Sequence, residues 1–194
     1  IESFVDEMAH AAGKDGYAFR RELLAKSPRH LKVLDTAAKM SGWGSALPEK
    51  HGRGIAFVPS FGSIVAQVAE VDMSGPKPRV TKVYVAADPG FVVNPDGFTA
   101  QMESAIVYGL TAALYGDITI KDGAVQQSNF HDYPMLRIDE MPEVEVTLIN
   151  GDHERLGGGG EPGLPPIAPA VTNAIFAATG TRVRELPIAK HDFA

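Results

Sequence analysis

The sequence predicts an α+β fold in which mixed sheets joined by hairpins pack against helices. Three observations carry that reading. Apolar residues recur at helical spacing through the first forty positions. From Gly54 the pattern shifts to β-branched runs bounded by turn residues. Most links between those runs are too short for parallel crossovers, which excludes a regular βαβ series.

The elements follow in chain order. Ser3 and Asp6 have capping-box spacing, and Phe4, Val5, Met8, Ala9 and Ala12 would form one apolar face ending at Gly13. Asp15 is placed to cap a short helix over Phe19 to Leu24. Ser27-Pro28 is an N-cap and first-turn pair for a third helix, which runs through Leu31, Leu34 and Ala38 and stops at Gly42. The stretch "GWGSALPEKHGRG" reads as a linker, dividing a helical segment, 1–50, from an α+β region, 51–194.

"GIAFVPS", "SIVAQVAEVDM" and "RVTKVYVAA" are strand-like. "NPDGFTAQMESAIVYGLTAALYG" predicts a helix with Met102, Ala105, Ile106, Gly109, Leu110, Ala113 and Leu114 on one face and Gly116 as its stop. "DITIKDGAVQQS" is a hairpin turning at Asp122-Gly123, and "EVEVTLI" alternates with Val144, Val146 and Leu148 on one side. A last helix is expected from about Pro169 to Thr179, closing at Gly180.

Composition narrows the function. The 194 residues suffice for one sizeable domain or two small ones, and 44% hydrophobic with 22% charged content is ordinary for a globular chain. A net charge of −6 argues against nucleic-acid partners and anionic membrane surfaces. With no cysteine, the chain supplies no disulfide, thiolate zinc site or iron–sulfur ligand, and the compartment stays open. No apolar run approaches the ~20 residues of a membrane helix. The chain opens on Ile1 with helical signals at once, as expected of a piece cut or processed from something longer.

Most chemical motifs are weak. Gly158, Gly160 and Gly163 spell GxGxxG, but prolines at 162, 165 and 166 delay the helix, and Glu161 would oppose a phosphate. The histidines at 10, 30, 51, 131, 153 and 191 lack close ligand spacing, and His131 beside Asp132 reads as a structural or surface group. No GxSxG elbow is present. Gln101 is either an exposed first-turn residue or an amide facing a polar ligand.

Glu161 stands out, because four glycines bare the backbone before it and prolines stiffen the chain after it. The glycines permit close approach and positive φ. A general base on such a loop and a solvated loop acid are equally open from the residues alone.

Longer motifs add a resemblance. "GGGGEPGLPPIAPAVTNAIFAATGTRVRELP", "DPGFVVNPDGFTAQMESAIVYGLTAALYG", "ESFVDEMAHAAGKD", "FRRELL" and "QSNFHDYPMLRIDEMPEVEV" together span nearly the whole chain. They resemble the C-terminal portion of the large, molybdenum-binding subunit of the xanthine dehydrogenase/aldehyde oxidase family, and within it are most like the isoquinoline 1-oxidoreductase β-subunit. The resemblance implies the C-terminal molybdopterin-binding domain of a bacterial molybdenum hydroxylase, periplasmic or cytoplasmic. It would act on N-heteroaromatic or aldehyde substrates with water-derived oxygen.

Glu161 maps onto the family's catalytic base, and Gln101 onto its glutamine near the pterin. Gly158, Gly159 and Gly160 would lie against the cofactor. Ser104 stands where the family usually has glycine. The implied cofactor is molybdenum with molybdopterin cytosine dinucleotide, bound in the complete enzyme and not to this piece alone. No side chain would ligate the metal directly. The implied partners are the remainder of the large subunit, a [2Fe–2S] small subunit and a small-molecule substrate, without nucleic acid or a membrane span. On this reading the isolated chain is inactive, and a non-catalytic structural or assembly module is the alternative.

Overall fold

A computed structural model describes residues 1–151 and 154–193. His153, one of the histidines considered above, lies outside the described residues. Three helices open the chain: α1 (Glu2–Ala11), α2 (Gly16–Leu23) and α3 (Pro28–Met40). They are followed by β1 (His51–Ser60), β2 (Ser63–Asp72) and β3 (Arg79–Gly90). Next come α4 (Pro95–Leu114), a small hairpin of β4 (Ile120–Lys121) and β5 (Ala124–Val125), then β6 (Glu143–Asn150) and α5 (Ile167–Thr179).

The main sheet has the order β1-β2-β3-β6. Strands β1 to β3 form an antiparallel meander, and β6 lies parallel to β3. The chain needs the long α4 excursion to bring β6 back in that direction. The two-residue turn between β1 and β2 is Phe61-Gly62, both at positive φ (54° and 77°). Asp122-Gly123 turns the small hairpin in the same way, at 52° and 78°, as the sequence predicts.

Period-two alternation sorts the sheet's side chains into two cores. Ile55, Phe57, Ile64, Ala66, Val68 and Ala86 face α3, meeting Val33, Leu34, Ala37 and Ala38. Ala56, Val65, Val71, Val83, Val85 and Ala87 face the other way, against Met102, Ile106 and Leu110 of α4 and Ala170, Val171, Ala174 and Ile175 of α5. Helices therefore cover both faces, and central β2 is buried along nearly its whole length.

The "HGRG" end of the expected linker is part of β1, and the reason is steric. A Cβ on Gly52 or Gly54 would overlap backbone atoms of Ala170, Ala174 and Ala178, so their absence lets α5 lie directly on the strand. Asn173, buried on α5, donates from Nδ2 to the Ile55 carbonyl at 3.1 Å, closing the same seam.

The first helix departs from the sequence reading. Ser3 and Asp6 form no capping box; the N-cap is Ile1, and Ser3 Oγ lies 3.1 Å from Thr172 Oγ1. Only Ala9 of the expected apolar face is buried, while Phe4 stays 62% exposed. The helix docks through charge instead. Arg20, 2% exposed, donates to Glu2 Oε2 at 2.9 Å and to the Glu2 carbonyl at 2.8 Å. The same Glu2 oxygen accepts the Phe57 N–H of edge strand β1 at 2.8 Å. Helix α2 is capped by Asp15 as expected, through Ala18 N–H. Helix α5 begins two residues before the expected Pro169, directly after Pro165-Pro166, and ends on left-handed Gly180.

Candidate functional site

The glycine run lies where three turns meet. At the end of β3, Asp88 is almost wholly buried and receives a fork from Arg29 of α3, with Nε to Oδ2 at 2.9 Å and Nη2 to Oδ1 at 3.0 Å. Its Oδ1 also accepts the Gly90 N–H at 2.8 Å, fixing the Asp88-Pro89-Gly90 turn. Burial pushes the Asp88 carboxyl upward. The donors from Arg29 and Gly90, with the charges of Arg29 and Lys32, outweigh that and hold it below the usual carboxylate range.

Gly90 has φ 88°, and a side chain there would run into Arg155, whose carbonyl accepts the Phe91 N–H at 2.9 Å. The Pro89 carbonyl accepts from Gly157 at 2.7 Å. One step on, Gly158 is held by the β1–β2 turn: its N–H donates to the Phe61 carbonyl at 2.7 Å, and its carbonyl accepts from Ser63 Oγ at 2.6 Å.

The four glycines owe nothing to positive φ, since none of residues 157–160 adopts it. The sequence reading allowed both positive φ and close approach, and close approach is the reason found here. A Cβ on Gly157 would overlap Ser63 Oγ, one on Gly158 would lie 2.8 Å from Phe61 Cβ, and one on Gly159 would lie 3.2 Å from the Phe98 ring. At Gly160 a Cβ would meet nothing within 4 Å. The crowding thus fades along the run and ends in open space.

That space is a cleft of about 410 Å³ walled by Gly157, Gly159 and Gly160 on one side and by Gly97, Phe98 and Gln101 of α4 on the other. Asn94 caps α4 through the Gly97 N–H at 2.9 Å, and Pro95 occupies its first turn. Gln101 is exposed and donates from Nε2 to the Gly160 carbonyl at 2.9 Å. The structure therefore brings together Gln101 and Gly160, fifty-nine residues apart in sequence. The second Gln101 N–H and its Oε1 have no partner among the described residues.

Glu161 follows at once. Its side chain is exposed and makes no hydrogen bond or ion pair with the described residues, while its carbonyl accepts from Leu164 at 2.9 Å. Gly163, third glycine of the literal GxGxxG, is buried: a Cβ there would come within 2.9 Å of Ala105 Cβ and 3.0 Å of Met102 Sδ. It packs loop on helix and opens no phosphate cradle. Ser104, also on α4, is half-buried.

A larger cavity, about 610 Å³, lies between α1 and the start of α5. Two of its three carboxylates, Glu2 and Glu7, already pair with Arg20 and Arg184. His131 is exposed, 3.5 Å from Asp132, as a surface pair. No group of three His, Asp or Glu side chains is placed to hold a metal among the described residues. No described helix is long and apolar enough to cross a membrane.

Sequence reasoning missed Arg29, Asp88 and Gln67, which hold the site from behind. Gln67 left a signal as a polar residue inside the apolar run "IVAQVAEV", and Asp88 opens the run "DPGFVVNPDG" that carries part of the family resemblance, without its tie to Arg29 being readable there.

Residues 6–142, from α1 up to the start of β6, match the model of the molybdopterin cofactor-binding domain. The chain belongs to the molybdopterin cofactor-binding domain family. This domain is 38% identical over 192 residues to the β-subunit of isoquinoline 1-oxidoreductase from Brevundimonas diminuta, covering 96% of the chain and 24% of that protein. It is 33% identical to a nicotinate dehydrogenase subunit of Pseudomonas putida, covering 96% of the chain and 17% of that protein. It is also 33% identical to a membrane-bound aldehyde dehydrogenase (pyrroloquinoline-quinone) of Gluconacetobacter polyoxogenes, covering 99% and 27%. The chain spans about a quarter or less of the first two relatives.

Among solved structures the domain superposes on quinoline 2-oxidoreductase from Pseudomonas putida 86, with a TM-score of 0.55 and 22% identity over 65% of this chain and 17% of that one. It also superposes on the aldehyde oxidoreductase of Desulfovibrio gigas, with a TM-score of 0.56 and 24% identity over 65% and 14%. At these identities the likeness is one of fold. The mixed α+β fold is thus one that these oxidoreductases share over part of their length.

Proposed function

We propose that this domain forms one wall of the cofactor site in a molybdenum hydroxylase and contributes Glu161 as its general base. The observation that carries the proposal is Gly160. Neither its φ nor any neighbour among the described residues calls for a glycine there, yet it lines the cleft beside a half-used Gln101 amide and directly precedes a carboxylate with no partner among those residues. A bare wall with a few aimed polar groups suits close contact with a flat, polar cofactor.

A bare backbone wall with a free amide end supports a molybdopterin as the occupant, and the form proposed is the cytosine dinucleotide. Gly158, Gly159 and Gly160 would present backbone, and the remaining N–H and Oε1 of Gln101 would address the cofactor's polar edge. When bound, the cofactor supplies Lewis acidity and a two-electron acceptor. The Glu161 carboxylate accepts the proton of the water whose oxygen enters an N-heteroaromatic or aldehyde carbon. Arg29 and Asp88 hold the turn on which the loop rests, and the prolines after Glu161 limit its wandering.

The exposed Phe61, Val93 and Leu156 near the cleft give a second wall an apolar surface to cover. That wall would come from the remainder of a longer large subunit, with a [2Fe–2S] subunit receiving the electrons. The domain alone is then inactive.

Glu161→Gln in the complete enzyme tests the proposal. With molybdenum content unchanged, kcat should fall roughly 10²- to 10⁴-fold. Undiminished turnover at full molybdenum occupancy contradicts it and favours a structural module.

A further inference from the structure

Gln67 sits mid-strand in β2, fully buried, with Val65, Ala66, Val68 and Ala69 as its neighbours in the chain. Its Nε2 donates to the Gly163 carbonyl at 2.6 Å. Its Oε1, buried as well, has no hydrogen-bond partner among the described residues. An aliphatic side chain would suit this place in the core better than an amide with one end unsatisfied. The end that is satisfied grips the loop two residues beyond Glu161.

A second amide grips it on the other side, where Gln101 Nε2 holds the Gly160 carbonyl. Between the two clamps Leu164 N–H closes back on the Glu161 carbonyl at 2.9 Å, making a tight turn of 161–164. Glu161 thus stands between two anchored carbonyls, and neither amide touches its carboxylate. Gln101 lies at the exposed mouth of the cleft, so the anchor shielded from solvent is Gln67.

We propose that Gln67 is a positioning residue for Glu161: by fixing the Gly163 carbonyl from inside the sheet, it sets the direction in which the Glu161 side chain leaves the loop. The inference rests on Glu161 being the base. A base must meet its proton within hydrogen-bond reach, and a misplacement of about 1 Å costs on the order of 100-fold in rate.

Gln67→Met keeps the length and bulk of the side chain and removes the donor. Gln67→Asn keeps the amide but is one methylene too short to reach Gly163. In the assembled enzyme both should lower kcat per bound molybdenum by about 10- to 100-fold with KM within about twofold. Molybdenum content should hold, and hydrogen exchange at the Leu164 amide should quicken. If Glu161→Gln abolishes turnover while both Gln67 variants keep full kcat per molybdenum, the positioning role is overturned. A lowered melting temperature with unchanged kcat per molybdenum overturns it equally, leaving Gln67 a residue of the fold. Wild-type turnover in Glu161→Gln defeats the base assignment by itself, and Leu164 exchange in the Gln67 variants still reports whether the amide holds the turn.

Discussion

Two glycine-rich stretches in this domain look alike in sequence and differ in what they touch. Gly52 and Gly54 of β1 lie beneath α5, and any side chain there would strike helix backbone. The run 157–160 begins in the same way, pressed on Ser63 and Phe61, but loosens at Gly159 and finishes at Gly160 with nothing nearby. The first stretch is bare because the fold fills the space. The second becomes bare where the fold stops filling it, beside Gln101 and Glu161. Gly151 is equally open without positive φ, so what sets Gly160 apart is its place in the cleft wall beside Gln101 and Glu161.

That contrast can be broken at its closed end first. Gly54→Ala should be the most damaging of these changes, because backbone of α5 must move to admit the methyl. Roughly 3 kcal/mol of stability should be lost, read by urea denaturation. A near-neutral result would mean that the seam between β1 and α5 is slack, and the distinction would collapse.

Arg29→Met comes next, since it cuts the tie between α3 and the turn on which the glycine run rests. Losing the partner of a buried carboxylate should cost about 2 kcal/mol at neutral pH, less than for a fully buried pair because the Arg29 side chain is partly exposed. The pH dependence has a definite sign. Asp88 has a folded pKa below its unfolded value, so its contribution is complete above about pH 4 and fades as pH falls through the folded value. Wild type should therefore lose stability on acidification through that window more steeply than the Met variant, in melts taken across pH.

Gly157→Ala sharpens the boundary inside the run. Its methyl would displace Ser63 Oγ from the Gly158 carbonyl and press on Gly62 backbone at 2.9 Å, a looser approach than the 2.2 Å met at Gly54, so a loss of about 1–2 kcal/mol is expected. An effect as large as that of Gly54→Ala would place Gly157 with the rigid seam.

The strands, α4, the hairpin at Asp122-Gly123 and the Asp15 cap were legible because local chemistry dictates them. The buried face of α4 follows from its period alone, whereas β2 is a largely apolar run buried on both sides. Helix α1 was misread for the opposite reason: its apolar stripe at Phe4 and Met8 is exposed, and distant charges on Arg20 and Arg182 hold it instead. No local pattern encodes a partner that far along the chain.

The site divides in the same way. Gln101, the glycines and Glu161 sit in motifs that the family resemblance made readable. Their meeting through one hydrogen bond, and the Arg29–Asp88 and Gln67–Gly163 supports, depend on tertiary placement. The GxGxxG spelling misleads because its last glycine serves helix packing.

The most direct test is Gly160→Val in the complete enzyme. Among the described residues the new Cβ meets nothing, so stability should stay within about 0.5 kcal/mol of wild type. Bound molybdenum cofactor should fall at least about tenfold as the branched side chain fills the cleft wall. Full cofactor content with unchanged stability would contradict the account, because Gly160 would then be bare for no ligand at all.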